Sequence, residues 1–266
     1  YPHPTGDWSM SPRDNTGDGI RLAEDAGAAL GQGHSSPAFW APVSILEQPG
    51  GKRLHYPHLV WDRAKPGLIA VNGAGRRFVN ESTSYHAFVQ AMYRSHEQVP
   101  TMPAFLLCDQ RFIDTWGLGL ALPGGRPRQH LIDAGYLLQG ATLEALAQKL
   151  GVPPDALHAT VARYNEYAAQ GLDPDFGKGS TAYNRYLGDP EHQPNPCLAP
   201  LGAGPYYAVK VYAGDIGTAC GIAANGNAQA VDASGQPIPG LYVAGNDMHS
   251  VMGGAYPAPG ITLGPA

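Results

Sequence analysis

Apolar positions recur at helical spacing in four stretches of the chain. Leu157, Val161, Tyr164 and Ala168 line one face of a helix expected over 155–170. Pro153 and Pro154 sit at its start, where a missing N–H does no harm, and Gly171 ends it. Thr142 stands in the N-cap position of a helix over 143–150, closed by Gly151. Tyr85, Phe88, Val89 and Met92 share a face of a helix begun at 81–84. Ile20, Ala23, Ala26 and Leu30 do the same over 20–30, with Gly31 as the stop and a small-residue face suited to close packing on a sheet.

Elsewhere the pattern is that of strands. Short apolar runs bounded by turn residues occupy 39–46 and 67–72, and 76–80 returns after the turn at 72–75 as the second arm of a hairpin. The runs at 205–212, 217–222 and 228–231 read as further strands, with turns at Asn225-Gly226 and Ser234-Gly235. Segment 100–140 alternates short apolar runs with turns and yields no clear assignment, while 173–201 reads as a long loop. Near the end, 241–244 is expected to be a buried strand that stops at Gly245. Asn246 and Asp247 follow at its C-terminal mouth, where open α/β sheets hold ligands. After a Gly/Pro-rich loop, 260–266 reads as the first turn of a helix. Its free N–H groups would suit an anionic or electron-rich group. The mixture of element types gives an α+β class.

Composition narrows the function classes. A net charge of −5 supplies no basic field for nucleic acid. No apolar run approaches the length of a membrane-spanning helix. The 35 glycines and 25 prolines lie between periodic apolar segments, so they indicate loops and close backbone approaches rather than disorder. Cys108, Cys197 and Cys220 are far apart and form no CxxC, which fits a reducing cytoplasm better than a disulfide framework. His55 and His58 form the one close histidine pair and have no cysteine or carboxylate set nearby, so no metal site is expected. No strand-then-GxGxxG unit is present; the loose match at 177–182 follows a loop.

The segment GLYVAGND…SVMGGAYPAPGITLGPA, from Gly240 to Ala266, resembles the C-terminal flavin-binding segment of the FAD-dependent 3-ketosteroid Δ1-dehydrogenases. It is less similar to the related fumarate reductase and succinate dehydrogenase flavoproteins. A second match, NGAGRRFVNESTSY, covers residues 72–85, with Ser84 where the relatives usually have Pro. The stretch NTGDGI at 15–20 and GLDPDFGKG at 171–179 also resemble the family. The resemblance implies an α+β cap domain at 45–204, inserted between two remnants of a Rossmann-like FAD-binding domain at 1–44 and 205–266. In that arrangement 171–179 would pack the cap near the substrate entrance.

Dehydrogenation beside a ring ketone requires a base for the proton α to the carbonyl and donors for the carbonyl oxygen. The hydride goes to the flavin, whose chemistry is its own. The resemblance implies Tyr85 as the base, and Tyr256 with the Gly260 backbone N–H as the carbonyl-binding pair. Two prolines between Tyr256 and Gly260 stiffen the loop that joins them. For FAD, the resemblance implies Gly245 and Asn246, with Asp247, Ser250, Thr262 and Leu263 along the cofactor. Val251 and Met252 could equally be packing residues. A free tyrosine titrates near pH 10, so Tyr85 needs a second group to help it lose its proton. The substrate expected is a steroid-like cyclic ketone.

Two other readings remain. A fumarate reductase-type enzyme would clamp a dicarboxylate, yet 246–264 contains no Arg and the turn at 215–221 contains no His. Alternatively, the chain is a truncated piece that binds no flavin alone, an expectation based on the absent GxGxxG unit and the end of the chain inside a helical turn.

Overall fold

The computed structural model describes residues 6–263. In chain order the elements are α1 (Asp18–Asp25), β1 (Ala38–Glu47), β2 (Arg53–Pro57), β3 (Leu68–Val71), α2 (Tyr85–His96), β4 (Ala104–Asp109), α3 (Gln110–Thr115), α4 (Gln129–Asp133), β5 (Leu137–Gly140), α5 (Leu143–Leu150), α6 (Pro154–Ala168), α7 (Ala182–Leu187), β6 (Tyr206–Thr218), β7 (Gln229–Val231) and β8 (Pro237–Tyr242). Helices and sheets are mixed, as the α+β pattern requires. The chain divides into two compact units, one of residues 1–40 with 214–266, the other of residues 41–213.

The 41–213 unit is built on a sheet in the order β2-β1-β6-β4-β3, with β5 on β6. The β3–β4, β4–β6 and β5–β6 pairs are antiparallel. α5 and α6 cover one face of this sheet: Leu146, Ala147, Leu157, Val161 and Tyr164 pack with Ile69, Val71, Phe105, Leu107 and Ala208. The cap residues behave as their types predict. Thr142 accepts from Ala145 N–H, and Gly151 closes α5 in the left-handed conformation. Ser84 caps α2 by accepting from Ala87 N–H, and Tyr85, Phe88, Val89 and Met92 are all buried.

Several expectations are corrected. The arm at 76–80 forms one bridge, Val71 to Arg77, rather than a strand. The Asn72 side chain takes the Ala74 and Arg76 N–H groups, and Arg77 turns into a buried ion cluster. Segment 100–140 contains β4, α3, α4 and part of β5, and the 173–201 loop contains α7.

In the other unit, α1 stops at Asp25 rather than running to Gly31. Gly27 enters the left-handed region at φ 93°, and Ala29 N–H is given to Val231 O. β8 ends at Tyr242 and pairs β7 in a two-stranded ribbon, so the expected buried strand at 241–244 is mostly exposed. Val243 is its buried residue, and with Ala23, Ala28, Ile222 and Ala230 it forms one small apolar cluster of this unit. The expected strand at 217–222 is the end of β6 followed by single bridges to Leu30 and Met248. At the C-terminus a turn forms, with Leu263 N–H donating to Gly260 O; residues 264–266 of the expected helix lie outside the described residues.

Candidate active site

In the 1–40 and 214–266 unit, a cavity of about 570 Å³ opens between the α1 N-terminus and the segment after β8. Asn15, Thr16, Gly17, Asp18 and Gly19 line one side, with Asp215, Gly217, Thr218, Asn246 and Asp247 opposite. Gly17, the α1 N-cap, takes the left-handed conformation and uses no side chain to cap the helix. The wall at Gly19 is tight, since a Cβ there would strike the Asp247 carboxylate. Ser9 Oγ donates to Asp215 Oδ1 at 2.9 Å. Four carboxylates line it, those of Asp14, Asp18, Asp215 and Asp247, and Asp18 is paired with Arg21. These carboxylates are acceptors, which suits the hydroxyls of a ribityl or ribose chain.

A narrow cleft beside it brings together Gly245, Asn246, Ser250 and Thr262 with Phe39, Thr218, Met248, Val251 and Ile261. Four of the six residues expected to touch FAD therefore line this one cleft. Asp247 faces the larger cavity instead, and Leu263 is 83% exposed. Tyr256 is 4% exposed and meets the Phe39 ring edge-on, with centroids 5.1 Å apart. Gly260 follows on the same loop at φ 98°, a conformation open to glycine and strained for other residues.

Tyr85 lies in the other unit, as the first residue of α2, and is 1% exposed. The segment ahead of it is fixed by Arg63. That buried guanidinium donates to Glu81 O at 2.6 Å and Thr83 O at 3.1 Å, and also to His58 O and Leu59 O. Burial pulls Arg63 down to about 10, against the attraction of Asp62, Tyr183, Glu81 and Tyr85, so it remains cationic at neutral pH. The Tyr183 hydroxyl is buried without a hydrogen-bond partner; burial raises its pKa while Arg63 opposes the rise. Sequence patterning gave no sign of Arg63, because arginine carries no positional signal until its contacts are known.

Two further polar clusters support this unit. His58 Nδ1 lies 2.5 Å from Asp62 Oδ2, and His58 Nε2 lies 2.7 Å from Ser44 Oγ, which in turn meets Tyr136 Oη at 2.7 Å. The residue types match a hydrolase triad, but Ser44 is buried and engaged on both sides, so the chain is structural. Burial alone would raise the Asp62 carboxyl; the His58 contact and Arg63 hold it below the usual range. In the second cluster Arg77 bonds Glu81 and Asp173, each through two contacts of 2.8–2.9 Å. Lys178 Nζ donates to Leu68 O at 2.7 Å and lies 3.7 Å from Glu81. This ties 173–178 to the residues ahead of α2.

Among the described residues no helix is long and apolar enough to cross a membrane. The family described as "FAD binding domain" matches residues 1–263. The 4-oxocyclohex-2-ene-1-carboxylate 5-dehydrogenase of Sinomonas cyclohexanicum is 42% identical over 270 residues, covering 100% of this chain and 45% of that enzyme. The 3-oxosteroid 1-dehydrogenase of Mycobacterium tuberculosis is 42% identical over 98% of this chain and 46% of its own length. A crystal structure of the 3-ketosteroid Δ1-dehydrogenase from Sterolibacterium denitrificans, in complex with 1,4-androstadiene-3,17-dione, superposes with a TM-score of 0.88 at 42% identity. It covers 97% of this chain and 46% of that one. A probable fumarate reductase of Shewanella frigidimarina is more distant, at 28% identity over 90% of this chain. The chain thus spans about half the length of the curated relatives it matches.

Proposed function

Because this chain belongs to the FAD-binding-domain family, we propose that it is the ketone-binding portion of an FAD-dependent dehydrogenase acting on a CH–CH bond beside a ring ketone. One observation carries the reading. Two relatives of equal identity act on different molecules, a 3-oxosteroid and a 4-oxocyclohexene carboxylate, that share a six-membered ring ketone. The shared ring ketone is therefore the part of the substrate proposed here, with the steroid nucleus as the first candidate.

The 41–213 unit would be the cap domain and the other unit the FAD-domain portion. Gly245, Asn246, Ser250 and Thr262 would hold FAD along the narrow cleft, and Asp247, with the hydroxyl-accepting carboxylates of the larger cavity, would bind its ribityl or ribose hydroxyls. Bound FAD supplies the hydride acceptor. Tyr256 Oη and the Gly260 N–H would donate to the ketone oxygen and steady the negative charge that develops there. Tyr85, on which the Arg63 charge acts, would take the proton from the carbon next to the carbonyl onto its Oη.

The test is turnover of a 3-oxosteroid and of 4-oxocyclohexanecarboxylate by FAD-loaded protein with an artificial acceptor, loading being checked by visible absorbance. Tyr256→Phe should lower kcat by about 100-fold or more with flavin retained, and Tyr85→Phe by a similar factor. Near-full activity in either variant removes that residue from its role. A loaded protein that turns over neither ketone overturns the reading.

A further inference from the structure

Three soft donors from distant parts of the chain meet in the 1–40 and 214–266 unit, and the ketone chemistry uses none of them. His34, Cys220 and His249 are each partly buried, and one ligand atom from each lies within 4.8 Å of the others. His34 Nε2 is 2.8 Å from Ser250 O, and His249 Nε2 is 3.2 Å from Gln32 O. A carbonyl oxygen only accepts, so each Nε2 carries its ring's proton and each Nδ1 presents a lone pair. Cys220 Sγ lies 3.9 Å from His34 Nδ1. Its single thiol proton can serve one of the two lone pairs. His249 Nδ1 is left buried with no hydrogen-bond partner.

An orphaned buried acceptor carries a cost that a ligand can remove. The surroundings keep His249 in place: its ring stacks on His34 with centroids 3.5 Å apart, and it fills a notch at Gly31 where a Cβ would run into it. Backbone carbonyls that hold the remote N–H of both imidazoles are the usual outer support of a histidine metal site.

We propose that His34 Nδ1, His249 Nδ1 and the Cys220 thiolate bind a zinc ion. Zinc accepts nitrogen and sulfur donors together, and a water completes four-coordination. Binding forms one Zn–S and two Zn–N bonds; the Cys220 proton leaves to solvent, and no oxidation is involved. Bond lengths of about 2.0–2.3 Å require ligand atoms closer together than they stand here. Binding therefore draws the three groups inward and turns the stacked rings apart, so that each in-plane lone pair reaches the metal.

The experiment uses the 266-residue chain after treatment with a chelator. Zinc alone is titrated by calorimetry, and cobalt(II) is then added in its place to report a thiolate charge-transfer band. One zinc per chain and a thiolate band are expected. Cys220→Ser should weaken zinc by about tenfold or more and abolish the band. Gly31→Ala, whose backbone conformation any residue adopts, displaces the His249 ring and should weaken zinc to a similar extent while Cys220 remains intact. His130→Ala, on α4, should bind as the parent does. The proposal fails if the parent takes up no zinc. It fails equally if the two site variants, shown folded by circular dichroism, bind zinc as the parent does.

Discussion

At the scale of single residues, the largest stakes lie in buried charge. Glu81 is fully enclosed, between Arg77 and Lys178. Burial alone would raise its carboxyl, but those two cations hold it below the usual range, with help from the Ala70 N–H. Glu81→Gln leaves Arg77 with Asp173 and leaves Lys178 without its nearest carboxylate. Stability measured by urea unfolding should fall by about 3–5 kcal/mol, the range for breaking a buried pair from one side. A pH effect is isolated at His86. Burial pulls its pKa down to about 4, and its Nε2 accepts from Gln90. The unfolded histidine titrates near 6.5, so between 6.5 and 4 the unfolded chain binds the extra proton. His86 therefore costs no stability above pH 6.5 and lowers it progressively as the pH falls towards 4. The urea midpoint of the parent should drop more steeply across that window than that of His86→Gln. Equal slopes would mean that folding does not lower the His86 pKa.

At the scale of elements, what could be read in advance was what is encoded locally. α5 and α6 follow from periodicity plus Thr142, Gly151 and the Pro153-Pro154 start, all within a few residues of one another. The four buried positions of α2 were legible for the same reason. The return arm at 76–80 was not, because the Arg77 partners Glu81 and Asp173 decide its path and one of them is 96 residues away. The exposure of β8 was also hidden: an apolar run states a preference for burial, not how many strands stand beside it. At the candidate site, Gly245, Asn246, Ser250 and Thr262, expected from one motif, line a single cleft. His34, Cys220 and His249 were not legible, since no spacing rule links them. One element contact offers a sharp test. A Cβ at Gly140, the end of β5, would collide with the backbone of Leu146 in α5. Gly140→Ala should therefore force the β5–α5 connection apart and cost about 1–3 kcal/mol, whereas Thr142→Ala removes one cap bond and costs about 1 kcal/mol. If Gly140→Ala proves the milder of the two in urea unfolding, the close packing of α5 on β5 is wrong.

At the scale of the whole molecule, the two units differ in how much apolar surface each buries within itself. The 41–213 unit holds a continuous core between its sheet and α5–α6, together with the Arg77 and His58 clusters. The other unit holds a smaller cluster of Ala23, Ala28, Ile222, Ala230 and Val243, with Phe39, Trp40, Ala219 and Tyr256 also buried, a short helix and a two-stranded ribbon. Local stability follows buried apolar contact, so the second unit should open at lower denaturant. Three free thiols report on this without any substitution: Cys108 and Cys197 are buried in the 41–213 unit, and Cys220 is partly buried in the other. With chelator present to keep metal off Cys220, a thiol reagent should label Cys220 at urea concentrations where Cys108 and Cys197 stay protected. Burial also raises the Cys108 thiol well above its ordinary pKa, which slows its reaction further while the unit is closed. Cys108 and Cys197 should react together, in the transition that removes the far-ultraviolet signal of α5 and α6. Simultaneous labelling of all three would show that the units unfold as one cooperative body.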